Sequence, residues 1–371
     1  MKTTVESPRD IQPERLKSLL KELVDIYSPS GKEEEILEFT EDYLKKHGLA
    51  ATRQEVDENR FNILVLPEKS NVLDVCFVGH LDTVAALDIE DYGFYEEGDM
   101  AYGLGASDMK SGCAAMIEAF TVMSERKTPL PHVGLALVVG EEQESDGAKT
   151  LIREHTFPWA IVGEPTNLVA CLGHYGYLEV FLRTRGKRAH SSMPELGQNA
   201  IENMLKILLR LTEYANSAPH GLVYNVRQLS SFPGGFVVPD SCEAWLDLHL
   251  PPDSRMDLLK AELEQLIEEA IKNIDGMDAY IRFENAQSGY LVSQDRPLVK
   301  KLKGVFKNIG LPWEPQVFRS HSDANVLWAG GADPIILGPG QLETAHTTDE
   351  SVSLSQVIQA TELYLDFALS L

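Results

Sequence analysis

Basic residues are scarce in this chain of 371 residues: 33 Lys and Arg stand against 57 Asp and Glu, for a formal net charge of -24. Nucleic acid and anionic membrane surfaces both require a basic face, so neither is expected as a partner. The acidic excess itself reads as a solvated surface. No run approaches the roughly 18 apolar residues of a transmembrane span, and the opening MKTTVESPRD lacks the apolar core of a signal peptide. A cytoplasmic protein is the simplest expectation. Cysteine is sparse as well. Cys76, Cys113, Cys171 and Cys242 are widely spaced in apolar contexts with no CxxC pair, which reads as buried thiols rather than disulfides or zinc ligands. Internal repeats and low-complexity segments are absent from the sequence.

What is present is ordinary in bulk, with 43% hydrophobic and 24% charged residues. The length exceeds the size at which single cores stop growing, so two domains are expected. The stretch from Val72 to Lys110 organises the reading. Val72 to Val78 is short, apolar and β-branched, the signature of a buried strand, and it stops at Gly79-His80-Leu81-Asp82. Asp108 follows a glycine-rich approach at Gly103 and Gly105 and precedes a helical stretch reaching about Arg126. The runs Val133–Val139 and Trp159–Val162 stop in the same way, at Gly140-Glu141-Glu142 and Gly163-Glu164. Strands alternating with helices predict an α/β domain with a mostly parallel sheet and helices on both faces. From Gly176 the pattern changes to half-exposed alternation in the order β-α-β-β-α-β, that of a ferredoxin-like α+β domain. The expected division is a catalytic domain of residues 1–175 and 290–371 with an inserted domain at 176–289.

His80, Asp82, Asp108, Glu141, Glu142, Glu164 and His346 all fall at predicted strand ends or loops on one edge of the sheet, where open α/β sheets bind ligands. Singly, each reads as a solvated loop residue or a helix cap. Together, carboxylates crowded on one edge repel one another unless a cation neutralises them. Imidazoles with carboxylates and no thiolate suit zinc, cobalt or manganese better than calcium.

The segments GHLDTV, GLGASDMKSG, GEEQESDG, GEPTN, AHSSMPELGQNA and AHTTDESV, in this order, resemble the metal-dependent M20 peptidase family, in particular its acetylornithine deacetylase and succinyl-diaminopimelate desuccinylase branch. The resemblance runs from about Tyr27 to the C-terminus. It implies a zinc-aminopeptidase-like catalytic domain and an inserted domain that serves as lid and dimerisation surface of a homodimer. It further implies two Zn2+ ions, with Co2+ or Mn2+ as substitutes, bridged by Asp108. His80 and Glu164 would complete one site, and Glu142 and His346 the other. Glu141 would be the general acid/base, and Asp82 would hold the ring of His80, as carboxylates commonly do for ligating imidazoles. The Asp108-Met109 peptide is expected to be cis. His190, from the inserted domain of the other subunit, would donate to the reaction's oxyanion. The implied activity is removal of an acyl group from an N-acyl amino acid, with acetylornithine or a close relative in amino-acid biosynthesis as first candidate. A metal-dependent carboxypeptidase or dipeptidase of the same family is the alternative.

Substrate contacts are less defined. Asn225 matches a family position in the inserted domain, and Arg319 offers a planar fork suited to a substrate carboxylate or equally to a surface ion pair. The chain departs from the family pattern after Gly234-Gly235, where Phe236 replaces a common Asn or the loop is shortened, and at Asp247-Leu248-His249, where the family often ends in Arg. His249 thus stands where an anion anchor is usual. The other histidines, His47, His132, His155, His174 and His220, read as structural or solvated.

Overall fold

The computed structural model describes residues 10–67, 73–86, 92–127, 132–217, 221–231 and 234–371. Val72 and His220 therefore lie outside the described residues, as does most of the opening segment. Packing divides the chain into two compact units: Met1–Gly173 with Val292–Phe318 and Ser322–Leu371, and His174–Leu291 with Arg319–His321.

The first unit is built on a sheet whose strands run in the order Ala51–Glu55, Phe61–Val65, Val133–Val138, Val75–His80, Trp159–Val162, Asp333–Ile336, Cys171–His174. The central pairings are parallel, with His80 opposite Val138, Val78 opposite Val162 and Val162 opposite Ile336. The outer pairings are antiparallel. Because the parallel strands are aligned in register, their C-terminal ends share one edge, and the residues after each are delivered to the same place. These strands are buried on both faces, as an apolar run without alternation requires. The helix Lys110–Glu125 is buried from Lys110 to Met123 and packs with Pro13–Asp25 and Leu354–Leu369. Phe77 meets Phe120 and Tyr364 edge-on at 5.7 Å and Phe367 at 6.3 Å. This contact ties the strand that carries His80 to both helices, and truncating Phe77 to Ala would cost about 3–5 kcal/mol.

The expected α/β architecture is present, with additions. The short strands Cys171–His174 and Gln316–Phe318 extend the sheet, and Tyr95–Glu97, Met100–Tyr102 and Ser351–Ser353 form a small antiparallel sheet of their own. Each is too short for its periodicity to be read from the residues. Among the described residues no helix is long and apolar enough to cross a membrane.

The second unit has the β-α-β-β-α-β order anticipated. Its strands lie in the order Val223–Ser231, Ser241–Leu250, Gly176–Arg185, Asp278–Gln287, all antiparallel. Leu178, Val180, Leu182, Leu246 and Leu248 face the helices Ala200–Ser217 and Met256–Asn273, whose Ile207, Leu211, Leu263 and Ile267 complete the core. Period-two alternation puts Tyr177, Glu179 and Phe181 on the opposite face.

Candidate metal centre

The edge formed by the parallel strands brings His80, Asp82, Asp108, Glu141, Glu142, Glu164 and His346 into one cluster. His80 ends its strand and is 1% exposed. Its Nε2 lies 3.3 Å from Asp108 Oδ1, 3.7 Å from Glu141 Oε2 and 3.8 Å from Glu164 Oε1. On the other side of Asp108, His346 Nε2 lies 3.5 Å from Oδ2 and 2.9 Å from Glu142 Oε1. Asp108 thus offers one oxygen to each imidazole. The ligand atoms of His80, Asp108 and Glu164 lie within 4.8 Å of one another, and so do those of Asp108, Glu142 and His346. The Asp108-Met109 peptide is cis, as the resemblance implied.

Whether these residues suit metal can be tested on their unsatisfied atoms. His80 Nε2, Asp108 Oδ1 and Glu164 Oε1 are buried without a hydrogen-bond partner. Buried polar atoms left so cost about 1–3 kcal/mol each, more when charged, so three converging on one point call for a shared partner. Tetrahedral ligands at about 2.0–2.1 Å from zinc stand roughly 3.4 Å apart, close to the separations seen. The donor set fits a divalent ion at each of the two groups.

The charge distribution points the same way. Burial opposes a charged His80 ring, yet the carboxylates of Asp108, Glu164 and Glu141 hold it well above its ordinary value. Asp108 and Glu142 raise His346 to about 11, with burial opposing. Burial pushes the Glu141 carboxyl well up; His80 counters the shift, and Glu142, Asp323 and Asp108 add to it. Burial and Asp108 likewise raise Glu164. The carboxylates therefore favour positive charge at the points where the two groups converge.

Asp82 faces His80 and also holds the neighbouring turn. His80 Nδ1 is 3.0 Å from the Asp82 backbone carbonyl and 3.6 Å from its carboxylate. The carboxylate also accepts from the amides of Glu141 at 3.2 Å and Glu142 at 3.1 Å, and from Ser30 Oγ at 2.6 Å. It orients the turn that carries Glu141 and Glu142, while the tautomer of His80 is held by a main-chain oxygen. Sequence reasoning also missed Glu350. This 3% exposed carboxylate accepts from the amides of Gly105, Ser107 and Asp108 at 3.0, 2.9 and 2.9 Å. It sits in the AHTTDESV segment, with nothing in its neighbours to distinguish it from a solvated acid.

His190, Asn225, His249 and Arg319 all belong to the second unit. His190 is exposed, with Nδ1 2.8 Å from Ser192 Oγ. Asn225 Nδ2 donates to Asp247 Oδ2 at 3.5 Å, and Tyr177 Oη donates to Asp247 Oδ1 at 2.9 Å. His249 Nδ1 is buried without a hydrogen-bond partner, and burial lowers the ring's affinity for protons against the pull of Asp247. A neutral ring is a hydrogen-bonding group and no substitute for a guanidinium.

Comparisons with known proteins identify the family. The model of Peptidase family M20/M25/M40 matches residues 76–370. A "probable succinyl-diaminopimelate desuccinylase" of Staphylococcus epidermidis is 24% identical over 398 residues, covering 94% of this chain and 95% of that protein. A "probable carboxypeptidase" of Aspergillus clavatus is 28% identical over 379 residues, covering 94% and 87%. Among solved structures, a tripeptidase from Staphylococcus aureus superposes with a TM-score of 0.83 at 21% identity, covering 97% of this chain and 99% of the other. The chain belongs to peptidase family M20/M25/M40 and is a metal-dependent hydrolase of amide bonds.

Proposed function

We propose that the protein is a dizinc amidohydrolase that removes the acyl group from a small N-acyl amino acid, with an acetylornithine-like substrate first. The observation that carries the dinuclear reading is Asp108, whose two oxygens face two separate imidazole-carboxylate groups. His80 and Glu164 would hold one ion and Glu142 and His346 the other, with cobalt or manganese able to replace zinc. When bound, such a pair lowers the pKa of a shared water toward about 7 and polarises the amide carbonyl.

The residues of the chain do the rest. Glu141 is buried with Oε2 3.7 Å from His80 Nε2, and it stands outside the two groups that share Asp108, in a third group with His80 and Glu142. Its raised proton affinity suits it to take a proton from the attacking water and pass it to the departing amine. Asp82 sets its direction by accepting its backbone amide. His190 of the partner subunit would donate to the oxyanion.

A homodimer through the second unit fits its surface. Val223–Ser231 is an edge strand with Val223 43%, Val226 36% and Leu229 46% exposed, and Leu205 and Leu209 of the helix Ala200–Ser217 are 47% and 65% exposed. Unpaired edges with apolar side chains are templates for pairing. Leu209→Glu should convert a dimer to a monomer in light scattering; a parent chain that is already monomeric removes this part of the reading.

The similarity to a carboxypeptidase over most of the chain favours a second reading within the same chemistry, cleavage of dipeptides or C-terminal residues. Metal-stripped protein should be tested on N-acetyl amino acids, N-succinyl amino acids and dipeptides, with and without zinc or cobalt. Metal-dependent release of acetate or succinate is expected. Cleavage of peptides alone would replace the deacylase reading with the peptidase one.

A further inference from the structure

Behind the turn that presents Glu141 and Glu142 lies a group of charges that the proposed chemistry does not use. Glu33 is 0% exposed and neither of its carboxylate oxygens has a hydrogen-bond partner. The nearest cation is Arg60, whose Nη1 is 3.6 Å from Glu33 Oε1. Arg60 also donates from Nη2 to Asp146 Oδ2 at 2.8 Å and from Nε to Asp57 Oδ2 at 2.8 Å. Asp146 opens the helix Asp146–Glu154 that follows the turn. At the turn's start, Gly140 has φ +73°, and a Cβ there would stand 2.9 Å from Arg60 Nη1, so the guanidinium lies directly against the main chain. The amides of Glu144 and Ser145 donate back to the Gly140 carbonyl, closing the turn over it.

We propose that Arg60 is a positioning residue for the candidate centre: paired with buried Glu33, it fixes the turn from Gly140 to Asp146 and thereby the carboxylates of Glu141 and Glu142. The inference rests on the dinuclear reading above. Arg60 touches both ends of the turn, Gly140 by packing and Asp146 by hydrogen bond. Asp82 holds the middle through the amides of Glu141 and Glu142. A turn clamped at both ends and at its centre has little freedom to swing its carboxylates out of reach of His80 and His346. A guanidinium suits the place because its fork serves three carboxylates in different directions at once.

The test needs no substrate. Zinc dissociation constants are measured by competition with a chromophoric chelator on the full chain, with urea midpoints alongside, for the parent, Arg60→Met and Arg60→Met/Glu33→Gln. Arg60→Met leaves Glu33 buried without its cation, so its urea midpoint falls, and zinc affinity at one site drops about 10- to 100-fold, the range typical of losing a group that supports a ligand. Adding Glu33→Gln removes the buried charge without restoring the hold on the turn. The double variant should therefore recover the midpoint while still binding zinc weakly. Parent-like affinity in the double variant shows that Arg60 merely neutralises Glu33, and overturns the proposal. If Arg60→Met does not fold, Asp146→Ala carries the test, since Arg60 stays on Glu33 and Asp57. A several-fold loss of affinity is expected, and parent affinity overturns the proposal. A parent chain that takes up no stoichiometric metal defeats the dinuclear reading and this one with it; tight binding unaltered by any of the variants defeats this one alone.

Discussion

Replacing Glu350 tests whether the loop carrying Asp108 is held in place by a carboxylate far along the chain. Glu350 Oε1 accepts from the amides of Ser107 and Asp108, and Oε2 from that of Gly105. Glu350→Ala leaves three N–H donors without an acceptor. At about 1–3 kcal/mol for each stranded donor, the loss is at least about 3 kcal/mol. For a cooperative unit of this size that corresponds to a Tm lower by about 6–12 °C. Glu350→Gln keeps a carbonyl oxygen for Ser107 and Asp108 and turns an NH2 toward the Gly105 amide. One donor is stranded, and the cost is about 1–3 kcal/mol. Scanning calorimetry should therefore rank the parent above Glu350→Gln and that above Glu350→Ala. Metal analysis after dialysis should follow the same order, because Asp108 is the group shared by both halves of the centre. If Glu350→Ala melts within about 0.5 kcal/mol of the parent, the range of an ordinary surface substitution, the carboxylate does not hold the loop.

Other expectations concern the centre itself. Glu141→Gln keeps the shape of the side chain but removes its capacity to accept a proton; turnover should fall about 10²- to 10⁴-fold with metal content and Tm unchanged, and near-parent turnover would reassign the base. Removing metal with EDTA should lower the Tm reversibly, since an ion present at 1,000 times its Kd stabilises by about 4 kcal/mol per site; an unchanged Tm argues against structural coupling of the ions. Glu33 supplies a pH test. Burial, with Asp82 nearby and Arg60 opposing, pushes its carboxyl up to about 7 from an ordinary 4.5. The folded chain then binds a proton that the unfolded chain has released, so its contribution to stability is full below about pH 4.5 and is lost as pH rises through about 7. The stability difference between Glu33→Gln and the parent should grow in favour of the variant across that window, and a flat difference in urea titrations refutes it.

The architecture was legible where periodicity was strong. Val133–Val138 and Trp159–Val162 are continuous apolar runs closed by glycine, and buried parallel strands leave that trace. The alternation of Tyr177 to Arg185 marked the change of unit, although Glu179 and Phe181, on the face away from the helices, are buried as well. The strands Cys171–His174 and Gln316–Phe318 left no comparable trace, because neither is a continuous apolar run: Gly173 and His174 interrupt the first, and the second holds only Val317 and Phe318. The expected division put Arg319 in the catalytic domain, yet Arg319–His321 packs with the second unit, where His321 lies 5.5 Å from the ring of Tyr177. Short segments passing between units carry no local sign of which one they join.

Within the site, the readable residues and the missed ones differ in a physical way. His80 ends its strand and Glu141 and Glu164 follow theirs within three residues, so their place follows from strand ends that the local pattern reveals. Ser30, Glu33, Arg60 and Glu350 act on the same centre from elsewhere in the chain. Ser30 is 52 residues from the Asp82 it binds, and Glu350 is 242 from Asp108. Their partners are backbone amides and carboxylates that any solvated loop also contains, so residue type alone cannot single them out. For Asp82 the position was legible while its main-chain contacts were not, because which atoms His80, Glu141 and Glu142 face depends on how the chain turns after each strand. Three turns of the centre are each restrained by one such distant group: Ser30 through Asp82, Arg60 at Gly140 and Asp146, Glu350 at Gly105 to Asp108. His80, Glu142 and Glu164 are thus set by strand ends and Asp108 and His346 by loops, while the order they keep depends on contacts that exist only once the unit has folded. Substitutions in these supporting groups should accordingly weaken metal binding without altering a single proposed ligand.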